Sequence, residues 1–243
     1  MQLAIPPVVA GARLFLAAVS PFQGIIDRPG RTHEFCNKQA ITILRNDGYN
    51  ICADFLVSYL KELNAGVYWA DQGWKNVSHY FVPASGGGLW RFNNALDECC
   101  SYLKEAANSV AREDYAASTF FLGAAAHLVQ DLCVPHHARA KVFCGHKEYE
   151  IWAEHNCAAY AVQTQGLYDE GAELKMWILK NAQTAADLLD WVNGEANTED
   201  YHKATSILLP MAQRSTAGMF QQFFEVALKE CLLKNTSSKV LVA

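Results

Sequence analysis

This chain of 243 residues lacks several things that would have settled its class at once. None of its eight cysteines, at 36, 52, 99, 100, 133, 144, 157 and 231, forms a CxxC pair, which argues against a structural zinc knuckle built from thiolates. No block of Lys and Arg occurs, and the net charge is −5, so bulk charge draws the molecule neither to nucleic acid nor to anionic lipid. No uninterrupted apolar run approaches the roughly 20 residues of a membrane-spanning helix. Met1 to Ser20 comes nearest, but Pro6, Pro7, Gly11 and Arg13 break it. That segment reads as a packed amphipathic helix from Val8 to Phe22, with a trimmed export signal as its rival. Period-two alternation is absent too, as are internal repeats and low-complexity linkers, which excludes a β-rich fold and a string of modules.

What remains is helical periodicity in a chain that is 51% hydrophobic and 19% charged, a composition that folds around one large core. Thr32 is the expected cap of a helix from His33 to Arg45, ended by Asp47-Gly48. A second helix is expected over Asn50–Leu63, closed by Asn64-Ala-Gly66. Residues 66–92 read as a long ordered loop. Helices are expected again over Asn93–Arg112, Tyr115–Val134 (stopped by Pro135), His146–Gln163, Glu173–Val192 and His202–Lys234, with Ser237–Ala243 as a tail. The expected architecture is all-α: a single-domain, multi-helix bundle over 30–236, preceded by an apolar segment (1–29) and followed by the tail (237–243). Cys36, Cys52, Cys99 and Cys133 sit in apolar helical patterns and read as small hydrophobes. The even cysteine count leaves disulfides open if the protein is exported.

The chemistry concentrates in one stretch. His127, Asp131, His137, His146 and Glu150 place five potential metal ligands within 24 residues. His127/Asp131 and His146/Glu150 are i, i+4 pairs, whose Cβ atoms stand about 5–6 Å apart on one helix face. Pro135 turns the chain between the pairs, so that His137 can return to the same region; a shift of the turn by one residue would present His136 instead. Imidazole and carboxylate without thiolate suit zinc that performs chemistry. Five ligands exceed the four of one tetrahedral zinc, so a multinuclear site is expected.

The pattern His-x3-Asp-x5-His-Ala followed by His-x3-Glu resembles the bacterial zinc-dependent phospholipase C family. Gly30-Arg-Thr-His33 is similar to the segment bearing that family's N-terminal ligand histidine. Gly66-Val-Tyr-Trp-Ala-Asp71 is similar to the segment bearing its catalytic aspartate. Ser78-His79-Tyr80-Phe81 and Arg214-Ser-Thr-Ala-Gly218 match further family segments in the same order. The resemblance implies a fold shared with single-strand zinc nucleases and two to three Zn2+ per chain. His79, His127 and Asp131 would hold the first, and His137, His146 and Glu150 the second. His33 and the other oxygen of Asp131 would hold part of the third, with Asp71 as general base. It also implies a phospholipid substrate at a membrane surface, hydrolysis to diacylglycerol and a phosphorylated headgroup, and a secreted or peripheral-membrane location rather than a cytoplasmic one.

The departures are equally specific. The family completes its third zinc with an N-terminal tryptophan, and no tryptophan precedes Trp69 here; Asp27 is the carboxylate placed to substitute. Gln72 and Asn76 stand where choline-preferring members carry aromatics. Trp69, Trp74 and Tyr80 would then either rebuild an aromatic cage or pack in the loop. The ligand helix lacks the Tyr and Gly usual between its two ligands, reading Leu-Val-Gln130 instead. Two other functions compete. One is a single-strand zinc nuclease, against which stand Glu150 where an aspartate is usual and the missing basic, aromatic-lined channel. The other is a non-catalytic, zinc-stabilised helical protein.

Overall fold

The computed structural model describes residues 30–229, except 91, 169–172 and 174. The expected helix Val8–Phe22, Asp27, Cys231 and the tail lie outside the described residues. Within them the chain is helical, and its only β feature is an isolated antiparallel bridge between Val82 and Gly87. The α-helices are α1 (Arg31–Asn46), α2 (Asn50–Ser58), α3 (Leu60–Ala70), α4 (Ala95–Ala111), α5 (Tyr115–Asp131), α6 (Pro135–Ala138), α7 (His146–Asn156), α8 (Met176–Ala186) and α9 (Thr198–Phe223). Short 3-10 turns cover Gly73–Ser78, Cys157–Tyr160 and Leu189–Trp191, and α9 runs on into a π-helical turn at Phe224–Leu228.

α5 is the axis of the fold. It packs most extensively against α3 on one side and α4 on the other, and it also touches α1, α8 and α9. Its sequence is apolar around nearly its whole circumference, and residues 122–131 are all buried, as expected of a helix with no solvent face. Asp114 caps its start by accepting from the Ala117 amide. Asn94 does the same for α4, and Asn197 with Asp200 forms a reciprocal capping box on α9.

Two glycines decide how close α3 comes to α5. A Cβ on Gly66 would lie 1.8 Å from the Phe120 carbonyl oxygen, and one on Gly123 would lie 1.9 Å from that of Leu63. Each helix therefore has its glycine where the other's backbone passes. Gly66 was expected to end a helix; it lies inside α3 instead, and that helix continues to Ala70. The expected single helix Asn50–Leu63 is divided at Tyr59, and the long loop begins only after Asp71. Thr32 is likewise inside α1, with Gly30 (φ 98°) at the cap position. α5 stops at Asp131, four residues before Pro135, which opens α6 as its first residue, where its missing N–H costs nothing.

The seven described cysteines are all free, and Cys36, Cys52, Cys99 and Cys133 are buried as small core residues. No described helix is long and apolar enough to cross a membrane.

Candidate metal centre

Five segments deliver polar side chains to one end of α5. α5 itself brings His127 and Asp131, buried one turn apart on one face. The 3-10 turn after α3 delivers His79, α1 delivers His33, α6 delivers His137, and α7 delivers His146 and Glu150. Asp71 sits at the C-cap of α3. All eight sequence-expected residues thus converge, in overlapping groups: His33/His127/Asp131, Asp71/His79/His127, His79/Asp131/His137 and His137/His146/Glu150.

The distances form the edges of coordination polyhedra. Asp131 Oδ2 lies 2.8 Å from His79 Nδ1 and 3.2 Å from His127 Nε2, and those two nitrogens are 3.3 Å apart. Asp131 Oδ1 lies 3.4 Å from His33 Nε2, so the two carboxylate oxygens face different histidines. Glu150 Oε1 is 2.9 Å from His146 Nε2 and 3.3 Å from His137 Nε2. A tetrahedral zinc with N and O ligands at about 2.0–2.1 Å sets its ligands about 3.3 Å apart.

The outward-facing ring nitrogens explain why the inward ones are bare. His79 Nε2 donates to the Ala70 carbonyl at 3.1 Å, which leaves Nδ1 as a lone pair aimed at Asp131. His137 Nδ1 donates to the His79 carbonyl at 3.2 Å, leaving Nε2 toward Glu150. His33 Nδ1 donates to Gln130 Oε1 at 2.8 Å, leaving Nε2 toward Asp131. Anchoring one imidazole nitrogen to an oxygen so that the other is presented as a ligand is the usual outer-shell arrangement of metal sites. Lone pairs facing lone pairs in a buried cluster are repulsive until a cation lies between them. Asp131 Oδ2 and, on the outer side of its ring, His127 Nδ1 are buried without a hydrogen-bond partner. The donor set therefore fits zinc.

Without a metal, protons take the cation's place. Burial opposes a charge on His137, but the carboxylates of Asp131 and Glu150 outweigh it and push its pKa up to about 9. His127 is raised in the same way, against burial, chiefly by Asp131. Asp131 is held well below the ordinary carboxylate range by His127 and His137, despite its burial. His33 goes the other way: burial and the neighbouring His127 lower it to about 4, overriding Asp131. The cluster is graded in depth. His79 and His127 are enclosed, whereas the Glu150 side chain is 44% exposed and forms the open end.

His136, the alternative to His137, faces elsewhere: its Nε2 donates to the Cys144 carbonyl at 3.1 Å and its ring stacks on His146 at 4.7 Å. Trp69 packs on Tyr102, Phe120 and Phe121 with Lys75 Nζ 4.5 Å over its ring, and Tyr80 is buried against His137. Both are packing residues. Trp74, the third aromatic, is exposed. Gln130 was not singled out as a site residue by its position in the sequence, because its partners His33, Asn37 and Thr216 lie 86 or more residues away.

Comparison with known proteins agrees with this arrangement. The family described as "Zinc dependent phospholipase C" matches residues 32–205. Proteins named "Phospholipase C" from two strains of Clostridium perfringens are 24% identical over 84% of this chain, which spans 61% of their length. In three dimensions the chain is similar to the alpha toxin of Clostridium absonum (TM-score 0.73, 21% identity) and to the alpha-toxin of Clostridium perfringens (TM-score 0.69, 22% identity). Each likeness covers 81% of this chain and 64% of the other, and at such identity it establishes a shared fold. With a family match across most of its length and a helical bundle that gathers the motif residues at one end of its central helix, this chain belongs to the zinc-dependent phospholipase C family.

Proposed function

We propose that this chain is a zinc-dependent phosphodiester hydrolase, a phospholipase C that releases diacylglycerol and a phosphorylated headgroup from phospholipid at a membrane surface. The folded domain extends over 30–236 in this reading. His79, His127 and Asp131 hold one zinc; His137, His146 and Glu150 hold a second; His33 with Asp131 Oδ1 contributes to a third. When bound, clustered zinc neutralises the anionic phosphodiester, lowers the pKa of water toward 7 and stabilises the leaving alkoxide.

The rest is the work of this chain's own residues. Asp71 is only part-buried, with a carboxylate oxygen within 4.8 Å of ring nitrogens of His79 and His127, where it accepts the proton of the attacking water. Asp131 offers both oxygens and ties two positions together. The outer hydrogen bonds of His33, His79 and His137 hold the rings in place before substrate arrives, which removes a reorganisation cost from the reaction. The exposed Glu150 end gives the phosphate a way in.

One observation carries this reading: ring nitrogens of five histidines and oxygens of Asp131 and Glu150 converge at ligand-to-ligand distances, with a further carboxylate, Asp71, beside them. The test is release of phosphorylated headgroup from phospholipid vesicles, run beside nucleotide release from single-stranded DNA. Headgroup release that a chelator abolishes and added zinc restores is expected. Nucleotide release alone would make the chain a nuclease, and zinc binding without turnover of either substrate would make the metal structural.

A further inference from the structure

The hydrogen bonds around Gln130 run in one direction, from His33 in the candidate metal centre to a backbone carbonyl on α9. The Thr216 hydroxyl donates to the Ala212 carbonyl of its own helix at 2.7 Å, and a carbonyl can only accept. Thr216 Oγ1 has therefore spent its one hydrogen, and its contact with Gln130 at 3.1 Å must be an accepted bond. That fixes the amide: Nε2 faces Thr216, and its second hydrogen goes to Asn37 Oδ1 at 3.0 Å. Asn37 agrees, since its own Nδ2 donates to Asn64 Oδ1 at 3.1 Å. Gln130 Oε1 is left pointing at His33 Nδ1, 2.8 Å away, and requires a hydrogen there. A neutral His33 then carries its proton on Nδ1 and shows a bare Nε2 to Asp131 Oδ1. Gln130, Asn37 and Thr216 are all buried, so water does not compete with this chain of bonds.

We propose that Gln130 is the positioning residue of the His33 metal site: a backbone carbonyl on α9 sets, through Thr216 and Gln130, which nitrogen of His33 faces the metal. The inference rests on the zinc reading above but names a residue that reading does not use. Gln130 neither touches substrate nor supplies a ligand. Its single side chain links α1 and α9 to the ligand-bearing end of α5.

Two variants separate positioning from packing. Gln130→Leu keeps the approximate volume and removes both ends of the relay. Thr216→Val is nearly isosteric, deletes only the hydroxyl, and frees the amide to turn. In the metal-free chain, nitrogen NMR of the His33 ring reads the tautomer directly: Nδ1–H is expected in the wild type, and loss of that single form in Q130L, with T216V between. Zinc titration of the same proteins reads the consequence. One zinc equivalent is expected to weaken about 10- to 100-fold in Q130L, while the position formed by His137, His146 and Glu150 keeps its affinity. In an H33A background, Q130L should add no further loss at that position.

An Nε2–H tautomer in the wild type, unchanged zinc binding in both variants, or equal weakening of every position would overturn the proposal. If the wild-type chain holds the Nδ1–H tautomer yet takes up no zinc at all, the zinc reading fails, and the metal role of Gln130 fails with it.

Discussion

Each site residue acts through both ends of its side chain, and the end facing away from the cluster decides what the inner end can do. Asp71 stands apart because nothing requires it as a ligand in the proposed sets. Asp71→Asn should therefore leave zinc content near wild type and lower kcat about 10²- to 10⁴-fold, the range for loss of a general base. Metal analysis beside initial rates checks this, and full activity would remove the assigned role. His137 yields a pH prediction with a definite sign. In the metal-free fold its pKa is about 9, so zinc must displace a proton throughout the neutral range. Zinc affinity should rise with pH by up to about tenfold per unit and level off above about 9, read by competition with a chelator. The stability of the metal-free protein should move oppositely. A raised histidine pKa stabilises fully below the ordinary 6.5, and that contribution disappears as pH climbs through about 9. Asp131, being depressed, stabilises above 3.8, and its contribution is lost as pH falls below that value. The candidate ligand pairs were legible in the sequence because i, i+4 spacing puts His127/Asp131 and His146/Glu150 on shared faces. The choice of His137 over His136 was not, since it depends on how a four-residue helix sits against the His79 carbonyl.

At the scale of elements, close helix contact is what brings Asp71 to the ligands. α3 reaches α5 through Gly66 and Gly123, each lying against the partner helix's backbone carbonyl. A methyl group at either place would meet a main-chain oxygen that cannot rotate away. Gly66→Ala and Gly123→Ala should each cost about 3 kcal/mol, the upper part of the overpacking range, although alanine is the better helix former. Denaturant midpoints would show it, and a stabilised G66A would refute the close-approach account. The same contact explains a misreading. A glycine after Asn64-Ala resembles a helix terminator when only its chain neighbours are visible, and the carbonyl that gives it a different purpose belongs to Phe120. The break at Tyr59 between α2 and α3 was hidden too, because helical periodicity runs across it. Gln130 is the polar counterpart: in the sequence it is one more residue on an apolar helix, and its role exists only once α1 and α9 are folded against it.

For the molecule as a whole, the helical bundle is the device that gathers residues as distant as His33 and Glu150 into one candidate metal centre. Fold class was readable because helical periodicity without strand alternation leaves few architectures, and the motif order matched one family. Without a cation the buried cluster is held together only by protons on His127 and His137, which are lost as pH rises. The chain should accordingly be held together in part by its metals. The direct measurement is zinc content by equilibrium dialysis of the wild-type chain beside Asp131→Asn, with helicity followed by circular dichroism. The account predicts two to three zinc per wild-type chain, with selective loss in D131N of the positions that share Asp131 while the His137/His146/Glu150 position stays filled. A folded wild-type chain that takes up no zinc, or a D131N variant that retains every equivalent, would contradict it.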